Sequence, residues 1–254
     1  MRIAVRRVYD FGTQAAQVGP TLLSPAAWDA VRQLPGPFRL PESRAEWLEV
    51  GAREPYPSRA AAVVALLREL GPSSICSHGV GGALLEQQLQ RQWPEITLIC
   101  TDFAPETVVR LELLFDDAQV LLSDLRDSAS LPHADAHLMH RLDQELARDE
   151  WRDVFARLDA PVLFVPSEIL TPGRAARELV RRALRPHATS AGVFRNEAAL
   201  RDLWSPWFAD RRVRVADETG FLLTPCSGSR RRRMLLLTRA VEPPEKHDSP
   251  TTFR

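Results

Sequence analysis

The stretch Ser73-Ser74-Ile75-Cys76-Ser77-His78-Gly79-Val80-Gly81-Gly82-Ala83-Leu84-Leu85-Glu86 constrains this chain more than any other. A short apolar run leads into three closely spaced glycines, and the pattern then becomes helical. A strand that turns through glycine into a helix start leaves backbone N–H groups facing a ligand. Glycine permits a positive φ there and keeps side chains out of the ligand's way. The spacing predicts a strand over Ser73–Ser77, a turn through Gly79 and Gly81, and a helix from about Gly82 to Trp93, stopped by Pro94.

The same rhythm continues on both sides of this stretch. An Ala/Leu/Val-rich helix is predicted over Ser58–Leu70, ended by Gly71-Pro72. Ile96–Thr101 is a continuous apolar run suited to a buried parallel strand, and Asp102 follows it directly. Then come a helix over Pro105–Phe115, strands over Ala118–Leu122 and Ala136–His140, a helix over Asp149–Leu158, and a strand over Pro161–Val165. Alternation of this kind predicts an α/β fold with a doubly wound, mostly parallel sheet. Right-handed crossovers bring the strand C-termini to one edge, where ligands of such sheets bind.

Beyond Pro166 the rhythm changes. Helices are predicted over Thr171–Leu184 and Asn196–Phe208. Val213–Leu223 and Met234–Thr238 read as an antiparallel C-terminal strand pair joined by the turn at 225–229. At the other end, residues 1–57 read as an N-terminal cap. There Ile3-Ala4-Val5 is an edge strand, Ser24 is the N-cap of a helix opening at Pro25, and a second short helix runs over Ser43–Val50. The expected division is 1–57, 58–240 and a disordered tail at 241–254.

Composition narrows the partners. Lys+Arg 33 against Asp+Glu 33 gives a formal net charge of +0, so no global field favours nucleic acid or an anionic membrane. The run Arg230–Arg233 reads as a solvated turn, because it lacks interleaved aromatics for stacking. No apolar run approaches the ~20 residues of a membrane span, and the first residues lack a signal-peptide core. Cys76 and Cys100 lie in apolar strands and no CxxC pair occurs, which points to a reducing cytoplasm and to neither a disulfide nor a metal site.

From Ser58 to Thr238 the chain resembles the class I S-adenosylmethionine-dependent methyltransferases. The resemblance rests on the glycine turn, on Asp102 and Asp124 after successive strands, and on the terminal strand pair. It implies a seven-stranded Rossmann-like sheet over 58–240, S-adenosylmethionine as cofactor, and methyl transfer to a small-molecule acceptor. The family's acid-x-Gly-x-Gly-x-Gly pattern places its last two glycines on Gly79 and Gly81, its first on Ser77, and its acid on Ile75. The last two assignments are departures: Ile75 weakens the expected contact at the methionine end of the cofactor, and Ser77 is the milder change.

Residue by residue, Asp102 stands about 20 residues past the turn, where a carboxylate accepts both ribose hydroxyls. Its alternative is a cap on the following helix. Phe103 is placed to cover an adenine face, and Asp124 with Leu125 resembles the adenine-binding position. Ser77 and His78 complete the expected cofactor contacts. His140, ending a strand on the functional edge, is the candidate base for deprotonating an acceptor, with Arg141, Asp143 and Glu145 beside it. No Asn-Pro-Pro-Tyr run follows that strand, which disfavours methylation of amino groups in bases or glutamine. Two other readings stay open: a degenerate, non-catalytic cofactor-binding protein, and an NAD(P)-dependent oxidoreductase whose third glycine position holds Leu84.

Overall fold

In the computed structural model, residues 1–9, 24–35, 38–115, 118–127, 131–184, 189–205, 207–213 and 234–239 are described. Arg230–Arg233, the turn at 225–229 and the expected tail lie outside them. The order is β1 (Ala4–Tyr9), α1 (Pro25–Gln33), α2 (Arg44–Gly51), α3 (Tyr56–Arg68), β2 (Ser74–His78), α4 (Leu84–Gln92), β3 (Thr97–Asp102), α5 (Pro105–Glu112) and β4 (Gln119–Leu122). It continues with β5 (Ala136–His140), α6 (Arg148–Arg157), β6 (Val162–Val165), α7 (Pro172–Leu184), β7 (Thr189–Arg195), α8 (Glu197–Trp204), β8 (Phe208–Val213) and β9 (Met234–Arg239).

Seven strands form one sheet in the order β4-β3-β2-β5-β6-β9-β8. The five strands from β4 to β6 are parallel, and β9 runs antiparallel between β6 and β8. Both faces are covered, as the unbroken apolar strands require. One face carries Ile75, Leu98, Leu138 and Leu163 against Trp47 of α2, Val63 of α3, Leu89 of α4 and Leu111 of α5. The other carries Met139, Val162, Phe164 and Leu237 against Trp151 and Phe155 of α6 and Leu203 and Trp204 of α8. Each large side chain buried this way contributes roughly 1.5–3 kcal/mol, so these two layers hold the sheet rigid beneath its C-terminal edge. Trp204 is packed in that second layer, while Trp207 is partly buried under the Arg152 guanidinium.

The N-terminal helices begin where the sequence predicts. Ser24 caps α1 by accepting from the Ala27 N–H at 3.2 Å, with Pro25 at the first turn, and Ser43 caps α2 in the same way. Toward the C-terminus the details differ. The predicted helix over Asn196–Phe208 ends at Trp204, and Phe208–Val213 is a strand paired with Met234–Arg239; the expected strand over Val213–Leu223 lies, beyond Val213, outside the described residues. Thr189–Arg195, which carries no strand signal in its small and polar residues, is strand β7. It pairs with β1 in a separate two-stranded sheet, because Phe194 inserts beside Leu170, Ala175, Ile3 and Val5. Tertiary burial overrides weak propensity there.

Candidate functional site

Strand β2 ends at His78, and the chain then turns through Gly79 (φ 58) and Gly81 (φ 57) into α4. The left-handed region at both positions is the reason glycine stands there. Ala83 (φ 49), at the N-cap of α4, and Arg141 (φ 66), just past His140, adopt the same region at a steric cost. Such strained residues collect at ligand sites, and all four positions lie at the C-terminal ends of β2 and β5.

Asp102 ends β3 beside this turn and is 1% exposed. Its Oδ2 accepts the Gly81 N–H at 2.9 Å and its Oδ1 accepts the Ala104 N–H at 3.0 Å. Arg32 of α1 then donates from Nη1 to Oδ1 at 3.1 Å and from Nη2 to Oδ2 at 3.0 Å, and it also bonds Thr107. The carboxylate thus ties β3, the glycine turn, the start of α5 and the N-terminal helix together.

The other expected cofactor contacts are likewise engaged by this chain's own side chains. Phe103 is half-buried, with the Arg126 guanidinium 5.7 Å from its ring centre. The same arginine donates from Nε and Nη2 to Asp124 at 2.9 and 2.6 Å. Burial raises the Asp124 carboxyl, but those bonds outweigh it and hold the group below its ordinary value. Leu125 packs against the second core layer and its carbonyl accepts from Arg157. A Cβ on Gly79 would lie 2.5 Å from the Leu142 Cδ2, so the Leu142 side chain covers that glycine.

Behind the turn, Ser77 donates to Glu86 at 2.7 Å, and burial pushes the Glu86 carboxyl up to about 7. His78 faces the core rather than the cleft. Its Nε2 shares a 3.0 Å hydrogen bond with His137 Nδ1, and its Nδ1 lies 3.2 Å from the Thr101 hydroxyl. Burial lowers His78 to about 3 and His137 to about 4, so both imidazoles are neutral. Cys76 joins them, with possible donor atoms of the three residues within 4.8 Å of one another. Both His78 nitrogens and His137 Nδ1 are engaged in the hydrogen bonds just described. Cys76 and Cys100 are free thiols, and burial raises Cys76 to about 12.

Two strands away from β3, His140 closes β5 in register with Val165 and is half-buried. Asp143 is fully buried, accepts the Ser167 N–H at 2.6 Å, and is raised chiefly by burial. It joins the loops after β5 and β6. Arg174 pairs with Glu178 at 3.0 Å, so the arginines of α7 include internally paired ones. Reading the sequence missed Arg32, Arg126, Glu86 and Leu142 as members of the site. The one available signal was Arg32 beside Val31, on the inward side of a capped helix.

No family model and no curated protein matches the chain. Solved structures match it in fold. Human N-acetylserotonin methyltransferase, solved in complex with S-adenosylmethionine, superposes with a TM-score of 0.55 at 17% identity, over 84% of this chain and 59% of that one. PigF, solved with S-adenosylhomocysteine, gives 0.55 at 13%, over 85% and 60%. Streptomyces venezuelae DesVI gives 0.52 at 10%, over 77% and 97%. The chain therefore spans about three-fifths of the length of the first two structures. It has the fold of the class I S-adenosylmethionine-dependent methyltransferases. Strand β9, antiparallel and inserted between β6 and β8, also separates it from the dinucleotide-binding order 3-2-1-4-5-6.

Proposed function

We propose that this chain binds S-adenosylmethionine at the C-terminal edge of β2, β3 and β4 and transfers its methyl group to a small-molecule acceptor. The observation that carries the reading is Asp102 at the end of the strand next to the glycine turn, hydrogen-bonded to the Gly81 N–H and set in this sheet order. A carboxylate so placed can hold the ribose, and the left-handed Gly79 and Gly81 let the cofactor approach the backbone. Phe103 and Asp124 would meet the adenine, and Ser77 and Leu125 are the remaining candidate contacts. The residue types suit the cofactor; the side chains of Arg32, Arg126 and Leu142 must give way for it. The bound cofactor would supply an electrophilic methyl group on a sulfonium. His140 would accept the acceptor's proton, and the surrounding edge would align the acceptor oxygen or nitrogen.

A second reading has its own support. Ile75 stands at the acidic position of the glycine pattern, and the expected contacts are engaged by this chain's arginines and leucine. A protein that keeps the fold without the reaction would look like this. Calorimetric titration with S-adenosylmethionine, S-adenosylhomocysteine and NADPH, repeated on Asp102→Ala, tests the cofactor, and methyl release from bound S-adenosylmethionine to an acceptor separates the two readings. Micromolar binding of the first two, lost in the variant, supports the methyltransferase. Binding of NADPH alone, or of none of the three by folded protein, rejects it.

A further inference from the structure

Resting on that cofactor reading, we propose that Arg32 gates the cleft: helix α1 holds it shut by giving Asp102 a guanidinium in place of the ribose diol, and cofactor entry requires α1 to lift away. The first support is stoichiometric. A carboxylate offers about four lone-pair positions. The Gly81 and Ala104 N–H groups occupy two, and Arg32 occupies the other two. A guanidinium edge and a vicinal diol each present two donors side by side, so they compete for the same carboxylate edge.

The second support is position. Arg32 Nη2 lies 3.6 Å from where a Cβ on Gly81 would stand, so the guanidinium fills the approach to the turn. It is itself buried, and it lies over the Trp28 ring, one turn earlier on the same helix face, at 5.6 Å from the ring centre. Arginine and ribose cannot share that volume.

The third support is how α1 is attached. Ala27 and Val31 pack with Trp28, Leu34 and Phe38 in a small cluster separate from both sheet-face cores. Its ties to α5 are polar: Gln33 to Glu106 at 2.6 Å, on the surface, Thr107 to Asp29 at 3.4 Å, and Arg32 itself to Thr107. Elements with few apolar contacts open at low free-energy cost. Lifting α1 alone would strand a buried carboxylate without its counter-charge. Opening is therefore favoured when a diol replaces the arginine's donors, which couples helix release to cofactor binding.

Titration of the full chain with S-adenosylhomocysteine tests this on wild type, Arg32→Ala and Arg32→Gln, with folding of each checked by circular dichroism. A closed gate lowers the apparent affinity of wild type by the fraction open. The expected result is binding at least tenfold tighter in both variants. A second measurement needs no variant: amide exchange of Ala27–Gln33 in wild type should quicken on adding S-adenosylhomocysteine. Equal or weaker binding by the variants while wild type binds, with α1 exchange unchanged or slowed, overturns the gate and leaves the cofactor reading intact. Absence of binding by all three folded proteins overturns the cofactor reading, and the gate with it.

Discussion

The Ser77 hydroxyl donates a 2.7 Å hydrogen bond to the carboxylate of Glu86, joining the end of β2 to the first turn of α4 beneath the glycine turn. Serine at the first glycine position of the family's pattern is therefore matched to a buried acid. Ser77→Ala should cost roughly 1–3 kcal/mol, the usual penalty for stranding a buried polar group, read as a lower midpoint in urea at pH 8. A variant as stable as wild type there would show that water or another donor serves Glu86.

Glu86 makes stability depend on pH. Its carboxyl is at about 7 in the folded protein against an ordinary 4.5, chiefly through burial. The folded state thus holds a proton that the unfolded chain has released between those values, and stability falls as pH rises from 4.5 to 7. Glu86→Gln should remove this slope, so the variant should gain on wild type by on the order of 3 kcal/mol between pH 4.5 and pH 7.5. Denaturant unfolding of both proteins across that range checks it, and a constant difference would refute it.

The pair His78 and His137 acts in the opposite direction. Both are held neutral by burial, with His78 at about 3 and His137 at about 4 against an ordinary 6.5. The unfolded chain takes up protons as pH falls below 6.5 while the folded state does not. Their contribution is complete above pH 6.5 and is lost on acidification toward pH 4. In the Glu86→Gln background, where the opposing slope is gone, the unfolding midpoint should drop steadily from pH 6.5 to pH 4. Adding His78→Asn and His137→Gln should flatten that drop, whatever the variant's absolute stability.

Asn196 fastens the first strand to the body. Its Oδ1 accepts the Ala199 N–H and the Ile3 N–H, both at 3.0 Å, and its Nδ2 donates to the Met1 carbonyl. Asn196→Ala should cost about 1–2 kcal/mol through the lost cap and should speed amide exchange in β1. Asn196→Asp keeps both accepted bonds and should recover most of that loss. Equal destabilisation by the two would deny Oδ1 this role.

Gly192 should tolerate no side chain. Its φ is 91, and a Cβ there would stand 2.0 Å from the Gln144 carbonyl oxygen, a backbone atom that accepts the Val193 N–H. Gly192→Ala should cost about 3 kcal/mol or more, since it combines backbone strain with a clash that no rotamer relieves. Gly79→Ala meets only the end of the Leu142 side chain at 2.5 Å, so it should cost less, and Leu142→Ala should restore part of the loss. Unfolding midpoints of the three variants test the order.

Much of this fold is legible in the chain itself. Unbroken apolar runs such as Ile96–Cys100 and Val162–Val165 are buried strands, and Gly71, Pro94 and Pro105 punctuate the helices between them. Asp102 and the glycine turn can be placed together because right-handed crossovers bring strand ends to one edge. These are short-range patterns, and backbone geometry converts them into structure without help from distant residues.

What occupies that edge is a different matter. Arg32 meets Asp102 across seventy residues of chain, His78 meets His137 across fifty-nine, and β1 finds β7 from the far end of the molecule. Each contact is set by which polar groups burial brings together and by the need to satisfy them once water has gone. Local sequence therefore determined the sheet, the turn and the chemical types at the edge. Tertiary structure alone decided that an arginine from the N-terminal helix, rather than solvent, completes the hydrogen bonding of the carboxylate on which the cofactor reading rests.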